Sequence, residues 1–202
     1  MRASMKPSRR LWLLGSTAAL ALSGALACGG PSGALDNELD AERAYLGLDV
    51  AVDRAIKLGF DGYNAATNAN IPEQSEGGDL SGTMVVGGKV DQGNSNNKEM
   101  RLTVDLTDYS DVLVENDYNI VYNGGPADLT MSLKGLPNAD LTGTFAGTFT
   151  MDGDLIGPVE LDLEITGTTE EVGGIIQRAP GTTRIVGTAT SDFGVFAVDV
   201  TR

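Results

Sequence analysis

Apolar and polar residues alternate along most of the chain after residue 80. The clearest example runs from Glu99 to Thr107. Its apolar positions are Met100, Leu102, Val104 and Leu106, and polar residues stand between them. Successive side chains of an extended chain point to opposite faces, so one face of this segment is apolar and the other is polar. The pattern predicts a half-buried antiparallel strand.

The same alternation recurs down to the C-terminus and predicts about eight short strands. We place them at residues 80–90, 99–107, 118–122, 129–133, 141–151, 159–165, 182–189 and 196–200. Turn residues at Asn123–Pro126 and Asp152–Gly153 mark two of the connections. Glycines inside strands, such as Gly82 and Gly187, predict bulges or sharp coiling. This antiparallel meander favours an all-β fold, either an up-and-down barrel or a two-sheet β-sandwich.

Before the predicted strands, the apolar residues follow a different spacing. Between Leu35 and Leu58, apolar residues recur every three or four positions and predict one amphipathic helix, bent at Gly47. Gly59 follows directly and predicts the C-terminal cap of this helix. Residues 60–79 lack a clear period and read as a connector. We expect the helix to pack on the strands or to plug one end of them.

The N-terminal residues have the composition of an export signal. Four basic residues, of which Arg10 is the last, precede the apolar run Leu11–Leu22. Small residues dominate Ser23–Ala27, directly before Cys28. The apolar run is too short for a membrane-spanning helix and has the proportions of a secretory signal peptide.

The segment Gly24–Ala27 with the cysteine that follows it resembles the lipobox of bacterial lipoproteins. In that family the signal is cleaved before the cysteine, whose sulfur receives diacylglycerol and whose new amine is acylated. The resemblance implies that Cys28 is the lipidation site and the first mature residue, attached to a membrane. Ala25 and Leu26 depart from the commonest lipobox, in which leucine precedes a small residue. Gly29, where an aspartate would favour inner-membrane retention, implies the outer membrane of a two-membrane cell.

The chain therefore divides into four predicted parts. They are a signal peptide at residues 1–27, lipidated Cys28 with a flexible tether at residues 28–34, an amphipathic helix with a connector at residues 35–79, and an antiparallel β domain at residues 80–202.

Charge and missing residue types narrow the possible functions. Removal of the first 27 residues takes away four basic residues and no acidic one, which leaves a formal charge of −18. Such a surface repels phosphate backbones, so we expect no nucleic-acid partner, whereas cations and basic partners remain possible.

The chain has no histidine, and Cys28 is its single cysteine. Most catalytic triads, metal sites and disulfides are thereby excluded, and we predict a protein that is not an enzyme and has no cofactor.

Three carboxylates share one face of a predicted strand. Glu160, Asp162 and Glu164 alternate with apolar residues, so neighbours are about 6.6 Å apart along the strand. Paired carboxylates at such a separation could perform acid and base catalysis of the glycosidase type, which needs an apolar setting to raise one pKa. The alternative, which we prefer, is a solvated stripe that pairs with Arg184 on a neighbouring strand.

Two acidic segments could offer oxygen ligands to calcium. One is the loop Asp91–Asn97, and the other contains Asp108, Asp111, Glu115 and Asp117. Neither has the spacing of an EF-hand, so we expect plain polar turns.

We therefore expect a lipid-anchored cell-envelope protein with a binding or scaffolding role. A barrel of eight strands could hold a small apolar ligand or be filled by its own side chains. Its predicted lining consists of Met84, Leu102, Val104, Phe145, Phe149, Leu161 and Phe196. The alternatives are a carboxylate-based hydrolase and a calcium-stabilised module that binds an envelope protein.

Overall fold

The computed structural model describes residues 32–91 and 95–202. Two helices precede the strands, α1 (Glu38–Leu46) and α2 (Asp49–Ala65). The strands are β1 (Asn70–Gly77), β2 (Ser81–Asp91), β3 (Asn97–Ser110), β4 (Leu113–Val114), β5 (Tyr118–Lys134), β6 (Asp140–Gly153), β7 (Gly157–Val172), β8 (Ile175–Arg178), β9 (Arg184–Ser191) and β10 (Gly194–Thr201). The predicted signal peptide and Cys28 lie outside the described residues.

All the strands belong to one antiparallel meander. The order along the sheet is β1-β2-β3-β5-β6-β7-β9-β10, and the short strands β4 and β8 pair with β5 and β7. The predicted antiparallel meander with an N-terminal helical segment is confirmed. The sheet is not closed, because β1 and β10 are its two edges within the described residues.

The helices cover the inner face of the sheet, which carries the buried residue of each alternating pair. Helix α2 packs on β1, β2, β3 and β8, and α1 packs on β9 and β10. The hydroxyl of Tyr122 on β5 donates a 2.8 Å hydrogen bond to the carbonyl of Ala44 in α1. Side chains from both helices and from the sheet form one apolar core. The opposite, outer face is exposed.

The helical segment differs from its prediction in three ways. Gly47 and Leu48 separate two helices, so the expected bend is a break. The prediction that Gly59 ends the helix is wrong, because α2 continues to Ala65. A β-carbon at position 59 would lie 2.7 Å from Cε of Met100 and 2.9 Å from Cδ1 of Leu102. Glycine therefore lets α2 approach the sheet closely. The expected connector also contains β1, which opens the sheet.

The strand pattern also differs from its prediction, since the short strands β4 and β8 were not predicted and two predicted strands are one. The predicted turn at Asn123–Pro126 is wrong, since β5 runs through these residues as a single strand. Gly124 and Gly125 have φ angles of 135° and 127° and accompany a register shift against β6. A bulge inside a long strand thus produced the turn signal. The turn after Asp152–Gly153 does connect β6 with β7, and Gly82 has φ 69° at a register shift against β3.

Candidate functional site

A cleft of about 340 Å³ lies where α2 meets β8 and the C-terminus. Arg178, a residue that is only 7% exposed, lines this cleft. Asp49 opens α2 and Asp53 lies one turn further on, so both carboxylates face the same side of the helix. The sequence reasoning missed Arg178. The spacing of two acids four positions apart on a largely apolar helix was the available signal for a cationic partner.

All five N–H groups of Arg178 have partners inside the protein. Nε and Nη2 donate to the two carboxylate oxygens of Asp53 at 2.7 and 2.8 Å. Nη1 donates to Oδ1 of Asp49 at 2.9 Å and to the hydroxyl of Tyr45 at 3.3 Å, and Nη2 also donates to the backbone oxygen of Asp49 at 2.8 Å. A guanidinium has five such donors, so none is left for an anion. Arg178 therefore joins β8 to α2 and has a structural role. We call Arg178 with Asp49 and Asp53 a clamp.

Asp49 is the buried acid of this clamp. Its other oxygen accepts a 2.9 Å hydrogen bond from Nε of Arg202, next to the end of β10. Burial alone would raise the pKa of Asp49, but the charge of Arg178 and the hydrogen bonds from Arg178, Tyr45 and Arg202 hold it below its usual value. Asp49 is thus an ionised counterion.

A second clamp joins α2 to the first three strands. The side chain of Arg54 donates to Glu76 at 2.7 Å and to the fully buried Asp111 at 2.9 Å, and it lies 2.9 Å from Asp79. Asp111 also accepts a hydrogen bond from the hydroxyl of Tyr109. Burial would lower the pKa of Arg54, yet its acidic partners raise the pKa above the ordinary value. A residue predicted as a calcium ligand is therefore the counterion of an arginine.

The other predicted calcium ligands do not converge. Glu115 accepts two hydrogen bonds from Arg43, and Asp108 accepts one from Asn123. Asp91 pairs with Arg101, and residues 92–94 of the other predicted segment lie outside the described residues. Within residues 32–91 and 95–202 there is no group of three or more acidic, cysteine or histidine residues that could hold a metal ion.

The three carboxylates of β7 do lie on one exposed face. Glu160, Asp162 and Glu164 alternate with buried residues, and their neighbours on β6 and β9 are mainly threonines. The predicted pairing with Arg184 is not present, because Arg184 binds Asp199 of β10 at 3.0 and 2.7 Å. Among the described residues no cation pairs with these three acids. We call Glu160, Asp162 and Glu164 the acidic stripe.

The edge strand β10 offers unpaired backbone groups. Thr183 and Arg202 exchange two backbone hydrogen bonds of 3.0 and 2.7 Å. Such reciprocal pairs alternate along an antiparallel ladder, so the even-numbered residues of β10 bond to β9 and the odd-numbered ones point away from it. The outward-pointing N–H and C=O groups belong to Val195, Ala197, Asp199 and Thr201. Within the described part of the chain no other strand pairs with β10.

The opposite edge of the sheet is protected. Pro72 has no N–H, and β1 shifts register against β2 between Ile71 and Gln74. The side-chain amide of Gln74 donates to the backbone oxygens of Pro72 and Glu73 at 3.0 and 3.1 Å. By contrast β10 has neither proline nor bulge, and its single charged residue is Asp199. Of the two sheet edges in residues 32–91 and 95–202, β10 is the one that has the character of an edge that can accept another strand.

The predicted ligand-lining residues belong to the core. Met84, Leu102, Val104, Phe145, Phe149 and Leu161 are all buried in the cluster that includes both helices, and Phe196 is partly buried against it. This face of the sheet is thus occupied by the helices of the protein itself.

Comparison with known proteins gives no family. No protein-family model, no curated protein and no solved structure matches the chain. Within the described residues, no helix has both the length and the apolar character needed to cross a membrane.

Proposed function

We propose that this chain is a lipid-anchored protein of the cell envelope that binds a partner and is not an enzyme. The single observation that supports the binding role best is the edge of β10, with which no other described strand pairs and which has four outward N–H groups and a largely apolar sequence. Edge strands of this kind are recognised by extended segments of other proteins, which add to the sheet. Enzymatic function has no comparable support, since the acidic stripe is exposed and all five N–H groups of Arg178 already have partners inside the protein.

The position of the first described residues supports the anchor. The backbone oxygen of Gly33 accepts a 2.8 Å hydrogen bond from Ile156, and that of Leu35 accepts a 2.6 Å bond from the hydroxyl of Ser191. Gly33 lies five positions after Cys28, a span of at most about 18 Å when extended. Lipids on Cys28 would therefore hold the β6–β7 and β9–β10 turns close to the bilayer, with the outer membrane as the expected site.

A carrier of a small apolar ligand is a weaker candidate. Such a ligand needs apolar space on the inner face of the sheet, and the close contact of Gly59 with Met100 and Leu102 places α2 against that face. The outer face and the β10 edge are the surfaces left for a partner, for which an envelope protein is the expected class.

The anchor is tested by phase partition. The full-length chain, expressed with its own signal, should enter the detergent phase of Triton X-114, and Cys28→Ser should move it to the aqueous phase, because each buried methylene of an acyl chain contributes about 0.8 kcal/mol to membrane binding. A Cys28→Ser protein that stays in the detergent phase would refute lipid anchoring.

A further inference from the structure

The rows of side chains across the last strands connect the acidic stripe with the free edge. Cross-strand pairing places Glu160 beside Thr190 and Thr190 beside Val195. The next rows are Asp162, Thr188 and Ala197, followed by Glu164, Val186 and Asp199. Paired residues on neighbouring antiparallel strands point to the same face. The acidic stripe therefore runs parallel to β10 on the exposed outer face, two strands away.

The side chains between the stripe and the edge are short or uncharged. The outer face of β9 carries Val186, Thr188 and Thr190, and Ala197 lies at the centre of β10. A strand added to β10 would lie about 14 Å from β7, because adjacent strands are about 4.8 Å apart. Lysine or arginine side chains on its outer face could extend over this low surface toward the carboxylates, which brings the charges closer than the strands and within about one Debye length, about 10 Å at 0.1 M salt.

The charge of the chain selects among the possible occupants of the edge. Asp199, the one charged residue of β10, already pairs with Arg184, whereas the acidic stripe has no cation among the described residues. A second copy of the chain, whose formal charge is −14, would bring the same acidic stripe, so it would be repelled. A basic strand would instead gain attraction along its whole length.

We propose that the free edge of β10 binds an extended, basic segment of a partner protein, which adds as a new strand and turns its lysine or arginine side chains, on the outer face, toward Glu160, Asp162 and Glu164. This inference rests on the proposed binding role and adds the chemical class of the partner. The backbone groups of Val195, Ala197, Asp199 and Thr201 supply the pairing, and the acidic stripe supplies the preference for positive charge.

Three short peptides test the proposal on the full-length protein, purified in a non-ionic detergent. Each is an eight-residue, fluorescein-labelled, acetylated and amidated peptide in which valine alternates with lysine, serine or glutamate. Fluorescence anisotropy should give the order lysine, serine, glutamate, with the lysine peptide about tenfold or more tighter than the serine peptide at low salt. The advantage should shrink as salt increases, because exposed charges are screened.

Two variants separate edge binding from charge recognition. Ala197→Pro removes one outward N–H and no bond to β9, so the fold should persist while all peptide binding is lost. Its matched control is Val198→Pro, which removes a bond to β9 and should destabilise the hairpin. The triple variant Glu160→Gln, Asp162→Asn, Glu164→Gln should bind the lysine peptide no better than the serine peptide.

Hydrogen exchange adds a direct footprint, in which the lysine peptide should slow exchange at Val195, Ala197, Asp199 and Thr201.

Any other result of these binding experiments would refute one part of the proposal. Equal affinity for the lysine and serine peptides would refute the basic partner and leave edge binding intact. Failure of all three peptides would refute both. Unchanged affinity in Ala197→Pro would mean that the lysine peptide binds by charge alone, away from the edge. A dimer in sedimentation that Ala197→Pro dissociates would show that a second copy occupies the edge.

Discussion

Arg178 of β8 binds Asp53 of α2 through two parallel hydrogen bonds of 2.7 and 2.8 Å, across 125 residues of sequence. The same guanidinium binds Asp49, which in turn accepts a hydrogen bond from Arg202. Helix α2 is thus tied to the last part of the chain, while Arg54 ties it to the first strands. This helix spans the inner side of an open sheet and is held by ion pairs at both sides.

Loss of Arg178 should destabilise the fold strongly. Arg178→Met would leave Asp49 buried without its main cationic partner, and removal of one partner of a buried ion pair typically costs about 3–5 kcal/mol. Urea unfolding followed by circular dichroism measures the free energy of unfolding. Arg184→Met is the matched control, because its pair with Asp199 is exposed and should change the midpoint little. Similar midpoints for the two variants would contradict the clamp.

Acid should weaken the clamp through Asp49. The pKa of Asp49 is lowered in the fold, so the unfolded chain binds more protons once the pH falls below about 5. The stabilisation is complete above the unfolded pKa of about 4 and is lost as the pH falls through the folded value. Unfolding free energies measured from pH 7 to pH 2.5 should therefore decline more steeply for the natural protein than for Asp49→Asn. Parallel declines would show that Asp49 does not contribute.

Gly62 should resist replacement although it lies inside a helix. Alanine normally stabilises a helix by about 1 kcal/mol relative to glycine. Here a β-carbon would overlap Cγ2 of Ile71 on β1, so Gly62→Ala should be net destabilising by about 1–2 kcal/mol. Ile71→Ala removes the overlapping methyl group. In that background the Gly62→Ala change should become neutral or stabilising, and a double-mutant cycle with no coupling would contradict the close approach.

Neutralising the acidic stripe should not harm stability. Glu160, Asp162 and Glu164 are exposed and have no cationic partner among the described residues. Their replacement by Gln, Asn and Gln reduces repulsion in a chain of formal charge −14, so the melting temperature should stay the same or rise slightly at low salt. A clear fall in melting temperature would mean that the stripe has a structural partner.

The strands were predictable because their outer face meets water. In β7 each of Val159, Leu161, Leu163 and Ile165 is buried and the residue after it is exposed, so the sequence itself records the two faces. The helices were harder to predict from the sequence, both in the break at Gly47 and in the continuation of α2 past Gly59. A glycine at a close helix–sheet contact gives the same signal as a helix cap. In β5, two glycines in a bulge imitated a turn.

The candidate site could be predicted only in part. The acidic stripe follows from alternation along one strand, and the structure shows its exposed face. The partner of Arg184 was mistaken because Asp199 of β10 and the acids of β7 both neighbour β9, and alternation does not rank the two strands. That β10 is an edge depends on the order of all the strands, which no local pattern contains.

Hydrogen exchange along β10 measures directly whether one side of this strand is unpaired. In the full-length protein without a ligand, the amides of Phe196, Val198 and Val200 should be protected by their bonds to β9. The amides of Val195, Ala197, Asp199 and Thr201 should exchange at nearly the rates of an unfolded chain. Equal protection at odd and even positions would mean that the edge is already paired, and it would refute edge binding at β10.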